Sequence, residues 1–472
     1  MVDLSEGRFS KSLSWTDGFM LALVIPVSTF TLIGLEIGPI GAWGALAVWL
    51  LTSIVALLQN FIYADMALLM PEHAGGIGAY AHEAWRRYAS PLGAIALFGY
   101  WAGWSFTLGV VGLQMGQLIQ AQWFPAFTGT VSFGATHIGL PQLLAAIAVI
   151  GIFLLNVGGV KLVVRTNKLF GIVLALLAIV CLIGPLIMHQ VSLSNLHWTI
   201  DNSGGVPEWE KVLIWSFIVS WTSYGTEVCA TFAPEYKSPR KNLTLSLISS
   251  SLLVLLIVVL SAIVLPGALG QSAINANPLG FYTAIVQHVT GKGFSSIVIA
   301  ILCVAQFIAM NSATAGSSRA LYGLARRGLT LRQFDRLNSH GVPARAMGVD
   351  MAVNLFILFF VGNVTGVIFA SNLGYLITVV LTLTGFLLLK KRNPQWQLLL
   401  CRHPLWVPCA FLLAVFNIAV IFAGFFHPAI AGYGGLPEQI IAVLILILSL
   451  VFFAYRRVVQ DKTGLQLQER DI

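Results

Sequence analysis

Glu227 interrupts an apolar run, and the residues beside it are of the kind that let a helix open. Residues 214–242 read IWSFIVSWTSYGTEVCATFAPEYKSPRKN, and the first half is apolar enough to sit in a membrane. Ser223, Tyr224, Gly225, Thr226 and Glu227 end that character. A carboxylate in hydrocarbon is costly unless it faces a cavity or a partner, so it marks a functional position. Gly225 gives the backbone freedom to leave the helix, and the neighbouring hydroxyls can satisfy the groups this frees. An opened helix points the negative end of one half and the positive end of the other at the membrane centre, an arrangement suited to a small zwitterion. Carbonyls freed around Ser223 and Gly225 would accept from an ammonium group. Trp221 and Tyr224 either cover a cation with their ring faces or pack against lipid and core. Glu227 has three possible uses: pairing with a cation, carrying a proton, or tying freed backbone amides.

A second irregularity lies near the N-terminus, in FMLALVIPVSTFTLIGLEIGPIG. Pro26 removes one helical hydrogen bond, and Ser28, Thr29 and Thr31 can bond to freed carbonyls. Gly34, Gly38 and Gly41 follow, with Glu36 among them near the outer end, where it reads as a solvated vestibule residue or an attractor of substrate. One such interruption is a plain proline kink. Two interruptions five spans apart are a pointer to a transporter binding site between two halves of inverted topology.

The elements that must position these residues are membrane helices. Of 472 residues, 57% are hydrophobic and 9% charged, where a soluble chain carries about 25% charged. Apolar runs define twelve spans: 19–37, 43–70, 92–120, 141–157, 166–188, 212–233, 243–265, 294–324, 346–361, 367–389, 405–426 and 439–455. The fold class expected is therefore an all-α polytopic membrane protein. Of the 26 Lys and Arg residues, only Lys211 and Lys292 fall outside the termini and the even-numbered loops. That asymmetry places both termini in the cytoplasm and the chain in a cytoplasmic membrane. The net charge of +8 is then loop charge that sets topology, and nucleic-acid binding is not expected. Asp3 and Glu6 mix with Arg8 and Lys11 at the start, a pattern unlike a signal peptide. The five cysteines form no CxxC, and the nine histidines form no HxxxH, so no metal, cofactor or membrane-embedded enzyme is expected. A repeated carbonyl filter of the channel type is also missing. Asn311, Ser312, Thr314 and Ser318 in the eighth span read as glue between helices, with an ion site as the alternative.

Three separated stretches resemble the amino acid–polyamine–organocation (APC) superfamily of permeases. W-T-S-Y-G-T-E at 221–227 looks like the family's aromatic-x-Gly-x-Glu break and is followed by P-R-K-N at 239–242. Y-A-D-M at 63–66 and P-E-H-A-G-G-I-G-A-Y at 71–80 are similar to its first cytoplasmic loop. S-R-A-L-Y-G-L-A-R-R-G-L at 318–329 and L-N-S-H-G-V-P at 337–343 resemble its best-known signature. The resemblance spans about residues 15–390 and implies a LeuT-type fold. That fold is a 5+5 inverted repeat with broken helices one and six, working by alternating access on amino acids or related amines. It divides the chain into an N-terminal tail (1–18), a first repeat (19–188), a second repeat (212–389), two appended helices (405–455) and a C-terminal tail (456–472).

Many members carry Gly-Ser-Gly at the break of helix one, where this chain has Ser28, Thr29 and Phe30. The two hydroxyls can bond a carboxylate, whereas Phe30 crowds the backbone amides. Some proton-coupled members have a lysine in helix five, at a position that is Leu174 here. The expectation is a secondary transporter, permease or exchanger, of a small amino acid, or alternatively of an amine or polyamine. Its substrate residues would be Ser28, Thr29, Phe30, Trp221, Tyr224 and Gly225, with Glu227 and Glu36 in coupling or gating. Its partners would be the bilayer, the substrate and a coupling proton or counter-substrate.

Overall fold

The computed structural model describes residues 9–133, 136–201, 205–361, 364–393, 395–396, 398–465 and 467–469. Asp3, Glu6, Arg8 and Arg470, used above for leader and topology, lie outside the described residues.

The chain is a bundle of long helices. The first span is three pieces, α1 (Trp15–Ala22), α2 (Val24–Leu32) and the start of α3 (Gly34–Leu69). Inside α3, Gly41 at φ 75° turns the chain into the second span. A Cβ there would meet the His197 carbonyl oxygen at 2.3 Å, so a loop carbonyl plugs the turn and only glycine fits. Next come α4 (Gly76–Ser105), α5 (Thr107–Trp123), α6 (Leu140–Val157), α7 (Val160–Leu182) and α8 (Gly184–Ile187). A hairpin of β1 (Val131–Phe133) and β2 (Thr136–Ile138), antiparallel with Val131 opposite Ile138, joins α5 to α6. The second part has α9 (Glu208–Ser223), a 3₁₀ segment Thr226–Glu235, α10 (Pro239–Leu269), α11 (Gln271–Ala276), α12 (Tyr282–Thr290) and α13 (Ser295–Arg326). It ends with α14 (Ala344–Phe360), α15 (Val364–Arg392), α16 (Trp406–Phe426) and α17 (Leu436–Tyr455).

Among the described residues, ten helical stretches are long and apolar enough to cross a membrane. This is a polytopic helical membrane protein. The expected sixth and ninth spans are not among the ten. α14 has 17 residues, and α9 has 16 before Tyr224 and Gly225 stop it. At 1.5 Å per residue α9 covers only about 24 Å of a core about 30 Å thick.

The interior belongs to α4, α13, α15 and the first span, which the other helices surround. α4 crosses α15 glycine to glycine: a Cβ on Gly99 would meet the Gly374 carbonyl oxygen at 2.4 Å. Thr378 and Thr382 of α15 donate to the Ala96 and Ile77 carbonyl oxygens of α4, at 2.7 and 3.0 Å. Small residues and threonine hydroxyls thus pack these helices without help from a water-driven hydrophobic effect. Ile147, Leu154, Leu169, Ile172, Phe411 and Leu444 stay exposed on α6, α7, α16 and α17, an apolar rim suited to lipid.

Of the eighth-span polar residues, Asn311 and Ser312 bind helices together, whereas Thr314 and Ser318 donate to the Met310 and Ala315 carbonyl oxygens of their own helix. Asn156 of α6 donates to Asn311 at 2.8 Å, Asn311 to Asn167 of α7 at 2.8 Å, and Asn167 to Ser312 at 2.8 Å. Asn167 also reaches the Met20 carbonyl oxygen at 3.1 Å, which draws the first span into the network. The residues after the Gly-rich loop, 81–88, continue the first turns of α4. Tyr80, Ala81, His82 and Ala84 are covered, and Ala89 (φ −155°, ψ 89°) kinks the helix before Pro91.

Candidate functional site

The sixth-span stretch opens where the residues call for it. α9 ends at Ser223, Tyr224 is extended (φ −79°, ψ −170°) and Gly225 is left-handed at φ 91°. The chain then resumes as 3₁₀ turns, with the Val228 N–H on the Gly225 carbonyl at 3.0 Å. β-Branched Thr226, Val228 and Thr231 and the imide at Pro234 disfavour a regular α-helix over those ten residues. At about 2.0 Å per residue this half adds roughly 20 Å, so α9 and the 3₁₀ segment together are long enough to cross.

The first span departs from expectation. Ser28, Thr29 and Phe30 lie inside α2, a continuous helix. The interruptions fall instead at Leu23 (φ −57°, ψ −18°) and Ile33 (φ −56°, ψ −24°), both still right-handed. Pro26 has no N–H to give the Ala22 carbonyl, which accounts for the fault at Leu23. No glycine lies between Met20 and Ile33, so nothing there lets the backbone turn to positive φ. Thr31 donates to the Val27 carbonyl oxygen of its own helix at 3.0 Å.

The two stretches meet. A Cβ on Gly225 would lie 2.8 Å from Ile25 Cδ1 and 3.0 Å from Trp104 Cζ2, so Ile25 of α2 and Trp104 of α4 press on the opening. Thr29 Oγ1 donates to the Thr222 carbonyl oxygen at 3.3 Å. A continuous helix would offer that carbonyl the N–H of residue 226, which the turn at Gly225 takes away. Tyr224 is buried and donates to Asn417 Oδ1 of α16 at 3.0 Å. Glu227 is buried, with Tyr375 of α15 donating to its Oε1 at 2.9 Å. Tyr375 stacks on Tyr100 of α4 with ring centroids 6.0 Å apart, and lies 6.5 Å from the Tyr224 ring. Asn60 of the second span donates to Thr226 Oγ1 at 2.6 Å and to Ser251 Oγ of α10 at 2.7 Å, anchoring the lower half of the break.

Of the expected residues, Thr29, Tyr224, Gly225 and Glu227 come together, and Ser28 is buried in the same turn of α2 as Thr29. Phe30 turns elsewhere: its ring lies 4.6 Å from the Tyr282 ring of α12, and the Tyr282 hydroxyl donates to its carbonyl oxygen. Trp221 is half-buried. Glu36 is 3% exposed, so it is not the solvated vestibule residue expected as one reading, and its Oε2 finds no partner among the described residues. Sequence reasoning missed Ile25, Asn60, Tyr100, Trp104, Tyr375 and Asn417. A signal was present for some of them. Tyr100 and Trp104 sit four apart, on one helix face, in GYWAGW, and Tyr375 follows a glycine in SNLGY.

The end of the sixth-span stretch is closed by a buried ion pair. Arg319 of α13 holds Glu235 through Nε at 2.5 Å and through the second guanidinium nitrogen at 3.2 Å. Its guanidinium carbon stands 4.1 Å from the centroid of the Phe232 ring and 5.7 Å from that of Phe9. The N-terminal segment seals this end: the Ser12 and Leu13 N–H groups donate to the Glu235 carbonyl oxygen at 2.8 and 2.9 Å. Lys11 reaches Glu72 at 3.0 Å. A cavity of about 560 Å³ opens just beyond, lined by Lys11, Glu72, His73, Glu83, Arg326 and Arg327 among others.

A helix opened at glycine, faced by a second helix and flanked by buried aromatic and carboxyl groups, inside a multi-pass bundle, defines a membrane transport protein. The chain belongs to the amino acid permease family, whose model matches residues 13–451, and so to the APC superfamily. It is similar to the amino-acid permease RocE of Bacillus subtilis, 27% identical over 71% of this chain and 70% of that one. It is also similar to the lysine-specific permease LysP of Escherichia coli (26%, covering 74% and 71%) and to the gamma-aminobutyric acid permease of Bacillus subtilis (26%, covering 75% and 74%). The protein is a transporter of the amino acid permease class and not an enzyme.

Proposed function

We propose that the protein moves a small amino acid across the cytoplasmic membrane by alternating access, bound where Gly225 faces α2. The observation that carries this reading is the opened backbone at Tyr224 and Gly225, apposed to Ile25 and Thr29 and backed by Glu227. Carbonyls at the end of α9 hold the ammonium group, Tyr224 and Trp221 flank it, and Ser28 and Thr29 meet the carboxylate. Glu227 and Glu36 act in coupling or gating, as permease or exchanger. The ten long helices, with α9 plus its 3₁₀ half and α14, make twelve crossings. They are arranged as inverted repeats 19–188 and 212–389 with 405–455 appended and tails 1–18 and 456–472 in the cytoplasm. The basic loops support that orientation. The buried break and the Arg319–Glu235 seal describe an occluded form.

One observation favours a second reading, an amine substrate. Because α2 is continuous through Ser28, Thr29 and Phe30, no backbone amides are freed there for a carboxylate. A thermal-shift screen of the purified protein against amino acids and their decarboxylated amines separates the two, since a ligand of the folded state raises Tm by mass action. Shifts by amino acids alone support the first reading, and shifts by amines alone support the second. No shift and no uptake by either class would sink both.

A further inference from the structure

Asp350 is a buried acid that the substrate site does not use. It sits in α14, where it is the sole acidic residue, and is 0% exposed. Trp101 Nε1 of α4 donates to its Oδ1 at 2.7 Å, and Ser317 Oγ of α13 donates to its Oδ2 at 2.8 Å. Neither partner is charged. α5 and α6, which pack on α14, carry no ionisable acid or base. On α13, Arg319 is committed to Glu235 and Arg326 stands in the last turn. On α14, Arg345 lies at the start and donates to the Gln333 carbonyl oxygen at 3.4 Å. On α4, His82, Glu83, Arg86 and Arg87 all precede the kink at Ala89, and Tyr100 faces Tyr375. Of the short elements, the 3₁₀ turn Arg332–Phe334 brings Arg332, and β2 brings His137, engaged with Ser132 at 3.1 Å. A carboxylate left charged in such surroundings is strongly disfavoured.

The two oxygens are not equivalent. Trp101 can only donate, so Oδ1 remains an acceptor whatever the charge on the carboxyl. Ser317 can donate or accept, and its Oγ lies 2.8 Å from Oδ2 and 3.3 Å from the Thr314 carbonyl oxygen. When Asp350 is ionised, Ser317 donates to Oδ2. When Asp350 is protonated, the proton sits on Oδ2 and is donated to Ser317 Oγ, whose own hydrogen turns to Thr314. Both states keep the two carboxyl oxygens and the Ser317 hydroxyl partnered, so proton gain or loss leaves these bonds intact. The site also adjoins the sixth-span break. Ser317 follows Gly316, where a Cβ would lie 2.4 Å from Val228 in the lower half of the break. Trp101 follows Tyr100, which stacks on Tyr375, and precedes Trp104, which presses on Gly225.

We propose that Asp350 is a proton-binding site, with Ser317 as its hydroxyl rotor, and that its proton moves in step with the sixth-span stretch during transport. The coupling half of this proposal rests on the transport reading above; the binding half does not.

Asp350→Asn preserves the shape, because the amide oxygen can accept from Trp101 and the amide nitrogen can donate to Ser317. Infrared difference spectra of wild type minus D350N, in lipid nanodiscs over a pH series, use the proton as the only ligand. The expected result is a protonated-carboxyl C=O band that grows as pH falls, is missing in D350N and shifts in frequency in Ser317→Ala, with the amide bands unchanged. A band absent at every pH, or present with no pH dependence, would overturn the site. In vesicles holding a pH dye, a mixture of amino acids and their amines is added outside. Wild type should acidify the interior, and D350N should fall to the level of protein-free vesicles. Acidification by D350N equal to wild type overturns the coupling. If wild type itself neither transports nor acidifies, the transport reading fails while the infrared result still decides the proton site.

Discussion

The first and sixth spans carry much the same residue types at mid-membrane, yet one stays coiled and the other opens. Each has hydroxyls, an aromatic residue, a proline and a carboxylate within a few turns. The first has Pro26 before its hydroxyls and no glycine among them. The sixth has Gly225 among its hydroxyls, with Pro234 well downstream. Proline deletes one hydrogen bond and leaves φ right-handed, as at Leu23 (φ −57°). Glycine lets the chain reverse, as at φ 91°. A missing hydrogen bond bends a helix, and a reversal of φ frees its carbonyls and amides. The consequence is asymmetry: the sixth span supplies the open backbone, and the first supplies side chains, Ile25 and Thr29, that press on it or bond to it.

The largest effect expected from breaking this contrast is at Gly225. In Gly225→Ala a left-handed φ costs about 1–2 kcal/mol. The new Cβ, 2.8 Å from Ile25 Cδ1 and 3.0 Å from Trp104, adds a further 1–3 kcal/mol or so. Uptake should be lost and Tm lowered. The double variant with Ile25→Ala relieves the contact and leaves the backbone strain, so it should recover part of the Tm and little of the uptake. Wild-type uptake in Gly225→Ala would mean that the reversal at Gly225 is not needed for transport.

The break at Gly225 was legible because its cause is local: one residue type, in a hydrophobic run, with polar neighbours. The membrane class and most span limits were legible for the same reason, since α10, α13, α16 and α17 need only length and apolarity. What could not be read was which side chains from distant spans converge. Tyr375 lies 148 positions from Glu227 and Asn417 lies 193 from Tyr224, and nothing in a single sequence encodes those pairings. In the first span the interruptions lie at Leu23 and Ile33 and not at Ser28, Thr29 and Phe30, because a proline bends a helix whereas opening the backbone needs a glycine. Asp350 falls inside the expected span 346–361, but the partners that hold it, Trp101 and Ser317, come from other helices and no single sequence encodes them.

A smaller effect is expected at Tyr375. Tyr375→Phe keeps the ring that stacks on Tyr100 and removes the hydroxyl that donates to Glu227 at 2.9 Å. Leaving that buried oxygen unpaired costs about 1–3 kcal/mol. Glu227→Gln retains an acceptor for Tyr375 and removes the charge, so it should lower transport while expression and folding hold. If Tyr375→Phe and Glu227→Gln both transport normally, Glu227 merely braces the lower half of the break. If only Glu227→Gln fails, its charge or proton matters and not its bond to Tyr375.

The smallest effect tests what the first span does for the sixth. Thr29→Val keeps the shape and removes the donor to the Thr222 carbonyl, a bond of 3.3 Å worth about 0.5–1.5 kcal/mol. Thr31→Val is its control, because Thr31 bonds only carbonyls of its own helix, at Val27 and Ser28. Each substitution should lower Tm by a similar small amount. Only Thr29→Val should alter ligand affinity, measured as the concentration dependence of the thermal shift. If the Thr222 carbonyl is among those that hold the ammonium group, Thr29 competes with the ligand for it, and removing Thr29 tightens binding. If Thr29 instead contacts the carboxylate, its loss weakens binding of amino acids and spares their amines. Equal behaviour of the two variants would show that α2 is only a wall beside the break, and that the sixth span alone forms the site.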